Sequence, residues 1–358
     1  MKIIENELLY IIPSYLPLRN YQKKNRKHVL DLGAEVSFKR LQLDDLSFKI
    51  FRGFLSPNSV VKAAKVIGKS IEEVQRFCSH LFNEGLLIQY HDIPEPYERY
   101  DRHLNYFSLN GLDPMKAQNE LKKLRFTFLG MGGIGNWIAL NLVGLGVKSF
   151  QLIDPDVIEL SNLTRQILFS EDDVGKFKVD IARQELKQRN RHISIEAIKD
   201  KITKDSVSQF ISDTDFVILS ADKPFFSIQK WVNEACVQRQ IPLLNVGYAG
   251  GEGVMGPLVI PGVSSCLACS GYLEEENYYL QEMKDAEDFA GHFRAPSFGC
   301  LNSLISCMAS YEIVKFFLRF GECLTMNHLV RINPFNFSIR QISRSKNAAC
   351  KICQKVAI

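Results

Sequence analysis

The stretch Arg125-Phe-Thr-Phe-Leu-Gly-Met-Gly-Gly-Ile-Gly135 decides the fold of this chain. Its first five residues predict a strand, its glycines a turn, and the apolar pattern that continues to about Gly146 a helix. A second strand, Ser149–Ile153, ends at Asp154, an acid roughly 20 residues past the glycines. This order is typical of a nucleotide-binding unit on a parallel sheet. We therefore expect an α/β fold with a Rossmann-like nucleotide-binding domain on a mixed sheet.

The glycines of this turn have a physical role in that prediction. Gly130 and Gly132 allow backbone N–H groups to approach a phosphate, and Gly135 allows the helix to pack closely against the strand. Asp154 can accept hydrogen bonds from ribose hydroxyls. A glycine motif of this kind is equally compatible with an ordinary tight turn, so the residues downstream carry the decision.

Polar residues just beyond the second strand favour a triphosphate ligand. Asn162, Arg165 and Gln166 follow Asp154 closely. A dehydrogenase has no need of an asparagine and an arginine there. An enzyme that holds a triphosphate does, because arginine neutralises charge on the phosphates as pyrophosphate leaves.

Three segments carry a family resemblance: Gly130–Gln166, Asp173–Lys178 and Ser220–Asp222. In them the chain resembles the ThiF/MoeB-type ATP-dependent activating enzymes, relatives of the ubiquitin-activating enzymes. The segment Asn162–Lys176 is especially similar to the MccB-like branch, which activates a ribosomally made peptide in microcin C biosynthesis. The resemblance covers roughly residues 97–355.

The resemblance implies ATP and Mg²⁺ as cofactors and assigns the site. Lys178 matches the lysine that reaches the phosphates, and Asp222 matches the aspartate that coordinates magnesium. A lysine at a helix start opposes the helix dipole unless an anion is near, which favours phosphate there. Asp222 is also compatible with a capping role for the helix near Lys230. The expected nucleotide-binding residues are Gly130, Gly132, Gly133, Gly135, Asp154, Asp156, Asn162, Arg165, Gln166, Lys178 and Asp222.

The segment Arg99-Tyr-Asp-Arg-His103 resembles the element that lends an arginine to the ATP site of a partner subunit. Arg102 is the better match by position and Arg99 is the second. Without the resemblance both would be interpreted as surface arginines. The resemblance therefore implies a homodimer in which Arg102 joins Arg165, Lys178 and Asp222 as a catalytic residue.

Two C-x-x-C pairs among nine cysteines predict a metal site. Cys266, Cys269, Cys350 and Cys353 supply four sulfur ligands, the tetrahedral preference of structural zinc, so a zinc clasp should tie the C-terminus to the core. A redox motif and two chance pairs are the alternatives. An odd cysteine count with such pairs argues against a secreted disulfide framework and for the cytoplasm.

Residues 270–299 are expected to form the crossover loop over the active site. In ubiquitin-type activators this loop carries a cysteine that takes the acyl group. Residues 270–299 contain none, and Cys300 is expected in the core of the next helix. We therefore predict no covalent enzyme intermediate and direct attack on the acyl-adenylate.

The first 95 residues are predicted to form a separate, winged-helix-like domain, with the adenylation domain over 96–358 and a proline-containing linker between them. Its pattern predicts strands at Glu7–Ile12, Leu46–Phe51 and Leu86–Tyr90, with helices beginning at Ser59 and Ser70. Such a module can bind DNA through its second helix, bind a peptide by strand addition, or serve as a purely structural lid. Glutamates at positions 72 and 73 would repel phosphate, which favours a peptide clamp.

Composition bounds the remaining functions. A net charge of +4 is too small to argue for nucleic acid or membrane binding. The N-terminus lacks a signal-peptide pattern, and no run approaches the roughly 18 apolar residues of a spanning helix. A cytoplasmic location is expected.

The expected reaction is ATP-dependent adenylation of a carboxylate on a ribosomally synthesised precursor peptide, in peptide-antibiotic biosynthesis. Intramolecular attack follows, either forming a P–N bond at a C-terminal residue or cyclising an activated glutamate, as in the pantocin (PaaA) branch. The alternative is a MoeB/ThiF-like adenylyltransferase that activates a ubiquitin-like sulfur carrier. A non-enzymatic scaffold or regulator would not need Arg165, Lys178 and Asp222, and all three are present.

Overall fold

The computed structural model describes residues 3–13, 16–22, 28–32, 39–90, 97–224, 226–271, 273 and 296–355. The chain divides into two compact units, Met1–Pro114 and Met115–Ile358. The division falls later in the chain than the predicted boundary after residue 95, so the segment with Arg99 and Arg102 groups with the first unit. The predicted linker at 91–96 lies outside the described residues.

The first unit contains two small antiparallel sheets and several helices. One sheet has the strand order β5–β1–β6, and the other has the order β2–β3–β4. Its strands are β1 Leu9–Ile11, β2 Leu18–Gln22, β3 His28–Leu32, β4 Lys39–Leu43, β5 Asn58–Ser59 and β6 Ile88–Gln89, and its helices are α1 Asp45–Gly53, α2 Val60–Ile67, α3 Ile71–Asn83 and α4 Asp101–Leu109.

Local capping chemistry sets the helices of this unit. Ser59 and Ser70 accept hydrogen bonds from the third backbone N–H after them, and Gly68 ends α2 with a φ of 72°. The strand predicted at Leu46–Phe51 is wrong, because this segment lies within α1. Asp44 caps that helix by accepting from the Ser47 N–H at 2.7 Å, and Phe48 and Phe51 fall three residues apart on its buried face.

The second unit is built on an eight-stranded sheet in the order β14–β13–β12–β11–β10–β7–β8–β9. Strands β11, β10, β7, β8 and β9 run parallel, and β12, β13 and β14 run antiparallel. The predicted α/β fold with a mixed sheet is confirmed. The strands are β7 Arg125–Leu129, β8 Ser149–Ile153, β9 Ser194–Ile198, β10 Phe216–Leu219, β11 Leu243–Ala249, β12 Glu252–Val259, β13 His328–Ile332 and β14 Ile339–Ser343.

Helices cover both faces of the central strands. The helices are α5 Pro114–Lys123, α6 Gly133–Gly144, α7 Lys178–Arg189, α8 Val207–Phe210, α9 Ser227–Gln238 and α10 Gly299–Leu318. Phe126 and Phe128 pack with α6, α7 and α10, whereas Leu129 packs with α8 and α9. Because both faces are buried, β7 and β10 are nearly continuous apolar runs rather than alternating ones.

Helix α7 begins at Lys178. Gly175, with a φ of 88°, and a bridge between Val157 and Phe177 hold the preceding residues in a loop. The Lys178 N–H donates to the carbonyl of Asp156 at 3.0 Å. This loop therefore places Lys178 in the first turn of α7, against the segment that follows β8.

Helix α10 corrects the expectation that no segment is apolar enough to span a membrane. By length and composition Gly299–Leu318 meets that criterion, and 50% of its most apolar window is buried inside the protein. It packs against α6, β11 and β12, and buries Asn302, Ser306, Ser310 and Glu312. These contacts are those of a core helix.

Candidate active site

The glycines at the junction of β7 and α6 serve different purposes. A side chain at Gly130 would lie 2.7 Å from the backbone nitrogen of Ala221, and one at Gly135 would overlap the Gly130 carbonyl. These two glycines permit close backbone packing. A side chain at Gly132 would meet no atom of the described residues within 4 Å. Gly132 is therefore the glycine that faces open space, where a phosphate can approach.

The N-terminus of α6 is an anion-binding element. Its N-cap is Gly132, which offers no side-chain acceptor to the first N–H groups. Those groups carry the positive end of the helix dipole and are ready to bind an anion. Asp154 holds this turn in place. Its carboxylate accepts hydrogen bonds from the N–H groups of Met131 at 2.7 Å and Asp156 at 2.9 Å.

Asp154 is buried, with 6% of its surface exposed. Burial raises the pKa of the Asp154 carboxyl, while the Lys178 charge and the two N–H donors oppose that rise. In this structure each carboxylate oxygen of Asp154 accepts one hydrogen bond from a backbone N–H group. Each oxygen retains a second lone pair, so hydrogen bonding to ribose stays a prediction.

Lys178 and Asp156 form an ion pair beside the glycine turn. Their Nζ and Oδ2 atoms lie 2.7 Å apart, with the lysine buried and the aspartate exposed. Asp156 thus supplies the anion that a lysine at a helix start requires. A phosphate can replace this exposed carboxylate without leaving a buried charge unpaired. The neighbouring Lys176 lies on the surface, paired with Asp173 at 3.0 Å.

Asn162 builds the turn that carries Arg165 and Gln166. Its carbonyl accepts from both of their backbone N–H groups, at 3.1 and 2.9 Å. The Arg165 guanidinium donates through Nη1 to the Ser161 carbonyl at 2.8 Å, and its other donors have no acceptor among the described residues. Gln166 is buried and its Oε1 has no donor there. The turn therefore leaves Arg165 donors and the buried Gln166 Oε1 without partners among the described residues.

Asp222 lies at the same edge of the sheet as the glycine turn. It follows Ala221, whose backbone packs against Gly130. Its carboxylate is exposed and has no partner within the described ranges. It does not cap a helix, because α9 begins at Ser227 behind Phe226. An exposed carboxylate at this edge is suited to magnesium.

The two arginines predicted to act across a dimer are both exposed and belong to the first unit. The Arg102 side chain is 93% exposed and lies 3.9 Å from the Asp101 carboxylate. This contact is too exposed to hold the guanidinium in place. Arg102 is therefore available to a ligand or to another chain.

Most of the predicted crossover loop, residues 272 and 274–295, lies outside the described residues. The chain becomes described again at 296, and α10 follows at once. Cys300 is exposed in the first turn of α10, so the expectation that it lies in the core is wrong. The neighbouring Gly299 packs against the Thr164 carbonyl, so no side chain fits there.

The four cysteines of the two C-x-x-C pairs meet in one cluster that could hold zinc. Their sulfur atoms all lie within 4.8 Å of one another, and three pairs are 3.6, 3.7 and 3.8 Å apart. Zn–S bonds of about 2.3 Å in a tetrahedron place sulfurs about 3.8 Å apart. Burial raises the pKa of the Cys353 thiol to about 11, because a buried thiolate is destabilised. A bound dication would favour the thiolate and reverse this shift.

Sequence reasoning missed Asn302. This asparagine is fully buried in the first turn of α10, and its amide lies against Gly133 of the glycine turn. In the sequence it stands inside an apolar helical run, and no spacing links it to residue 133. The only available signal was a buried-type helix that carries polar residues four apart, at 302, 306 and 310.

Fold and site together define an α/β enzyme of the class that binds a nucleoside triphosphate at a glycine turn. A sequence model described as the ThiF family matches residues 100–352. The chain belongs to the ThiF family.

Three known proteins illustrate the range of similarity. The molybdopterin-synthase adenylyltransferase of Salmonella typhimurium is 28% identical over 255 residues, covering 71% of this chain and 95% of that protein. Escherichia coli MccB, solved with AMPCPP and MccA, has a TM-score of 0.77 and 28% identity, and covers 97% of this chain and 99% of its own. PaaA has a TM-score of 0.70 at 20% identity, covering 92% and 99%, and shows the shared fold alone.

These relatives confirm the enzyme class predicted from the sequence. The chain is an ATP-dependent adenylyltransferase of the ThiF/MoeB superfamily.

Proposed function

We propose that this enzyme adenylates a carboxylate on a ribosomally made peptide, in the biosynthesis of a peptide antibiotic. One observation carries the proposal. The ThiF match begins at residue 100, whereas MccB, solved with the peptide MccA, covers 97% of this chain and so extends over the first unit as well. A unit that accompanies peptide binding in that protein is the natural candidate for a peptide clamp here.

The first unit has features that suit an extended peptide. Strands β2 and β4 are the two edges of a three-stranded antiparallel sheet, and each is five residues long. An extended peptide can add to such an edge through backbone hydrogen bonds. Helix α3 begins with exposed Glu72 and Glu73, which disfavours docking on a DNA backbone. We propose no nucleic acid or membrane partner and a cytoplasmic location.

The residues around the glycine turn divide the work of the reaction. The first N–H groups of α6 and the Lys178 ammonium bind the phosphates, with Lys178 exchanging Asp156 for the ligand. Arg165 turns its unused donors toward the charge that builds up as pyrophosphate leaves. In this step the peptide carboxylate attacks the α-phosphorus and displaces pyrophosphate, so rate enhancement comes mainly from positioning and charge neutralisation.

Two groups complete the site in this proposal. Asp222 would hold Mg²⁺, which shields the triphosphate from the incoming carboxylate. Arg102 of the partner subunit in a homodimer would add a second guanidinium. The cysteine cluster would hold structural zinc, with no open position for catalysis.

Pyrophosphate release tests the proposal. The enzyme is incubated with Mg-ATP and candidate precursor peptides taken from short reading frames near its gene, and the product is analysed by mass spectrometry. We expect peptide-dependent pyrophosphate release. Mild alkaline treatment first hydrolyses any acyl-adenylate that remains. The product mass then separates a nucleotide-linked peptide, which indicates a P–N bond, from a peptide that has lost one water, which indicates cyclisation.

The similarity to molybdopterin-synthase adenylyltransferase supports a second candidate, activation of a ubiquitin-like sulfur carrier. The same assay distinguishes the two. ATP consumption that requires a carrier protein ending in Gly-Gly, and that ignores the peptide, would replace our proposal with this one. No ATP binding at all would contradict both.

A further inference from the structure

Helices α6 and α10 are joined by a stripe of buried polar side chains. Ser306 Oγ donates to the Ile134 carbonyl at 3.3 Å, and Asn141 Nδ2 donates to Ser310 Oγ at 3.1 Å. Asn302 lies one turn before Ser306 on the same face of α10. The two serines join helix to helix, but Asn302 faces the glycine turn instead.

The Asn302 carboxamide is only partly satisfied. Asn302 is fully buried, and its Nδ2 donates to Ser297 Oγ at 3.1 Å. Its Oδ1 has no donor among the described residues. A buried acceptor without a donor is destabilising, so such an atom calls for an explanation.

The carboxamide and Arg165 flank the same α-carbon. A side chain at Gly133 would overlap the Asn302 amide and lie 3.3 Å from Cγ of Arg165. Gly299 lies one turn before Asn302 in α10, and a side chain there would lie 2.5 Å from the Thr164 carbonyl and 3.6 Å from Cα of Arg165. The first turn of α10 therefore packs against the backbone of Thr164 and Arg165, and the Asn302 amide and the Arg165 Cγ atom both lie beside Gly133.

We infer that Asn302 is a positioning residue for Arg165, and this inference rests on the proposed function. The carboxamide fixes the arginine stem against the glycine turn. Its free Oδ1 is the acceptor that orients the guanidinium when Arg165 engages a triphosphate. Donor and acceptor are complementary here, because Arg165 has five N–H donors and one described acceptor, Ser161.

Mg-ATP binding by the full-length chain tests this inference through single and double variants. Asn302→Ala removes the acceptor, and Ser306→Ala is the matched control, since it deletes a buried polar contact of the same helix pair one turn away. We expect N302A to weaken Mg-ATP binding about tenfold, the effect of a lost hydrogen bond to a charged group, and S306A to leave it unchanged. Thermal unfolding should shift similarly in both.

A double variant shows whether Asn302 acts through Arg165. In an Arg165→Ala background, N302A should weaken Mg-ATP binding by less than about twofold. A full tenfold loss there, or equal effects of N302A and S306A, would overturn the inference. If N302A does not fold, Asn302→Ser is measured against S306A in the same way.

Comparison of N302A with the wild-type chain separates a failure of this inference from a failure of the proposed function. Mg-ATP binding that is normal in N302A contradicts the role of Asn302 and leaves the proposed function intact. A wild-type chain that binds no Mg-ATP contradicts both.

Discussion

Gly132 and Gly133 are adjacent residues with opposite demands. Gly132 has a φ of −79°, and among the residues that the structure describes none comes within 4 Å of an added methyl group, so alanine fits there. We expect Gly132→Ala to keep its melting temperature and to weaken Mg-ATP binding at least about tenfold, because a methyl group would occupy the phosphate approach.

The matched control for this prediction is Gly133→Ala. Its methyl group would overlap the Asn302 amide, so this variant should lose about 1–3 kcal/mol of stability by overpacking. Scanning calorimetry and ATP titration of both variants check the pair. Unchanged ATP binding in a folded G132A variant would show that the phosphates do not pass this residue.

Lys178 and Lys176 allow a second comparison within two residues. Lys178 is buried and pairs with Asp156, whereas Lys176 pairs with Asp173 on the surface. We expect Lys178→Met to slow pyrophosphate release about 100-fold or more, because a preorganised charge would be lost from a site shielded from water. Lys176→Met should stay within about twofold, as exposed ion pairs contribute little. Equal losses in both variants would indicate general electrostatics rather than a phosphate contact at Lys178.

At the scale of elements, the first turn of α10 presents an exposed thiol, Cys300, two residues from Asn302. Because the structure exposes this cysteine, the predicted absence of a covalent intermediate needs a direct test. We expect Cys300→Ser to keep pyrophosphate release within about twofold, since the peptide's own nucleophile should attack the adenylate. Intact-protein mass spectrometry should find no acyl adduct. A thioester-linked peptide on the wild-type chain, missing in C300S, would reverse this view.

The cysteine cluster connects two elements that are far apart in sequence. The first knuckle lies in a 3₁₀ turn at Leu267–Ser270, and the second belongs to the last described residues. Cys353→Ser should release zinc and lower the melting temperature, because a closed sulfur site contributes folding energy. Metal analysis and calorimetry measure both. Cys236→Ala is the control: this buried thiol shares the same core but not the cluster, so its zinc content should stay at one per chain.

At the scale of the whole molecule, the question is whether Arg102 acts on its own chain or on its partner. Arg102→Ala and Lys178→Ala chains are each expected to be inactive as homodimers. Mixed dimers contain one site with both residues intact if the arginine crosses the interface. Co-expression of the two variants should then restore about a quarter of wild-type activity, because half of the dimers are mixed and each has one complete site.

Two results of this mixing experiment would contradict the assignment. No recovery would mean that Arg102 acts within its own chain or that the enzyme is monomeric, which size-exclusion chromatography distinguishes. Full activity of the homodimeric R102A variant would move the role to Arg99, the second candidate. The corresponding Arg99→Ala and Lys178→Ala mixture then takes its place.

The sequence by itself determined the features that depend on neighbours along the chain. Strands β7 and β8 and the glycine turn follow from local apolar runs and glycines. The starts of α2 and α3 and the end of α2 follow from Ser59, Ser70 and Gly68, and each of the two cysteine knuckles follows from its own C-x-x-C spacing. Each of these signals lies within a few residues of the structure that it specifies. The fold class and the family followed from them.

Only the tertiary structure decided what depends on residues distant in sequence. Packing between elements brings Asn302 against Gly133 and pairs Asp156 with Lys178. No local pattern encodes that packing. The exposure of Cys300 has the same origin, because it depends on which face of α10 the protein covers. Periodicity shows that a helix has a buried face, but the shape of the neighbouring elements decides which side chains meet there.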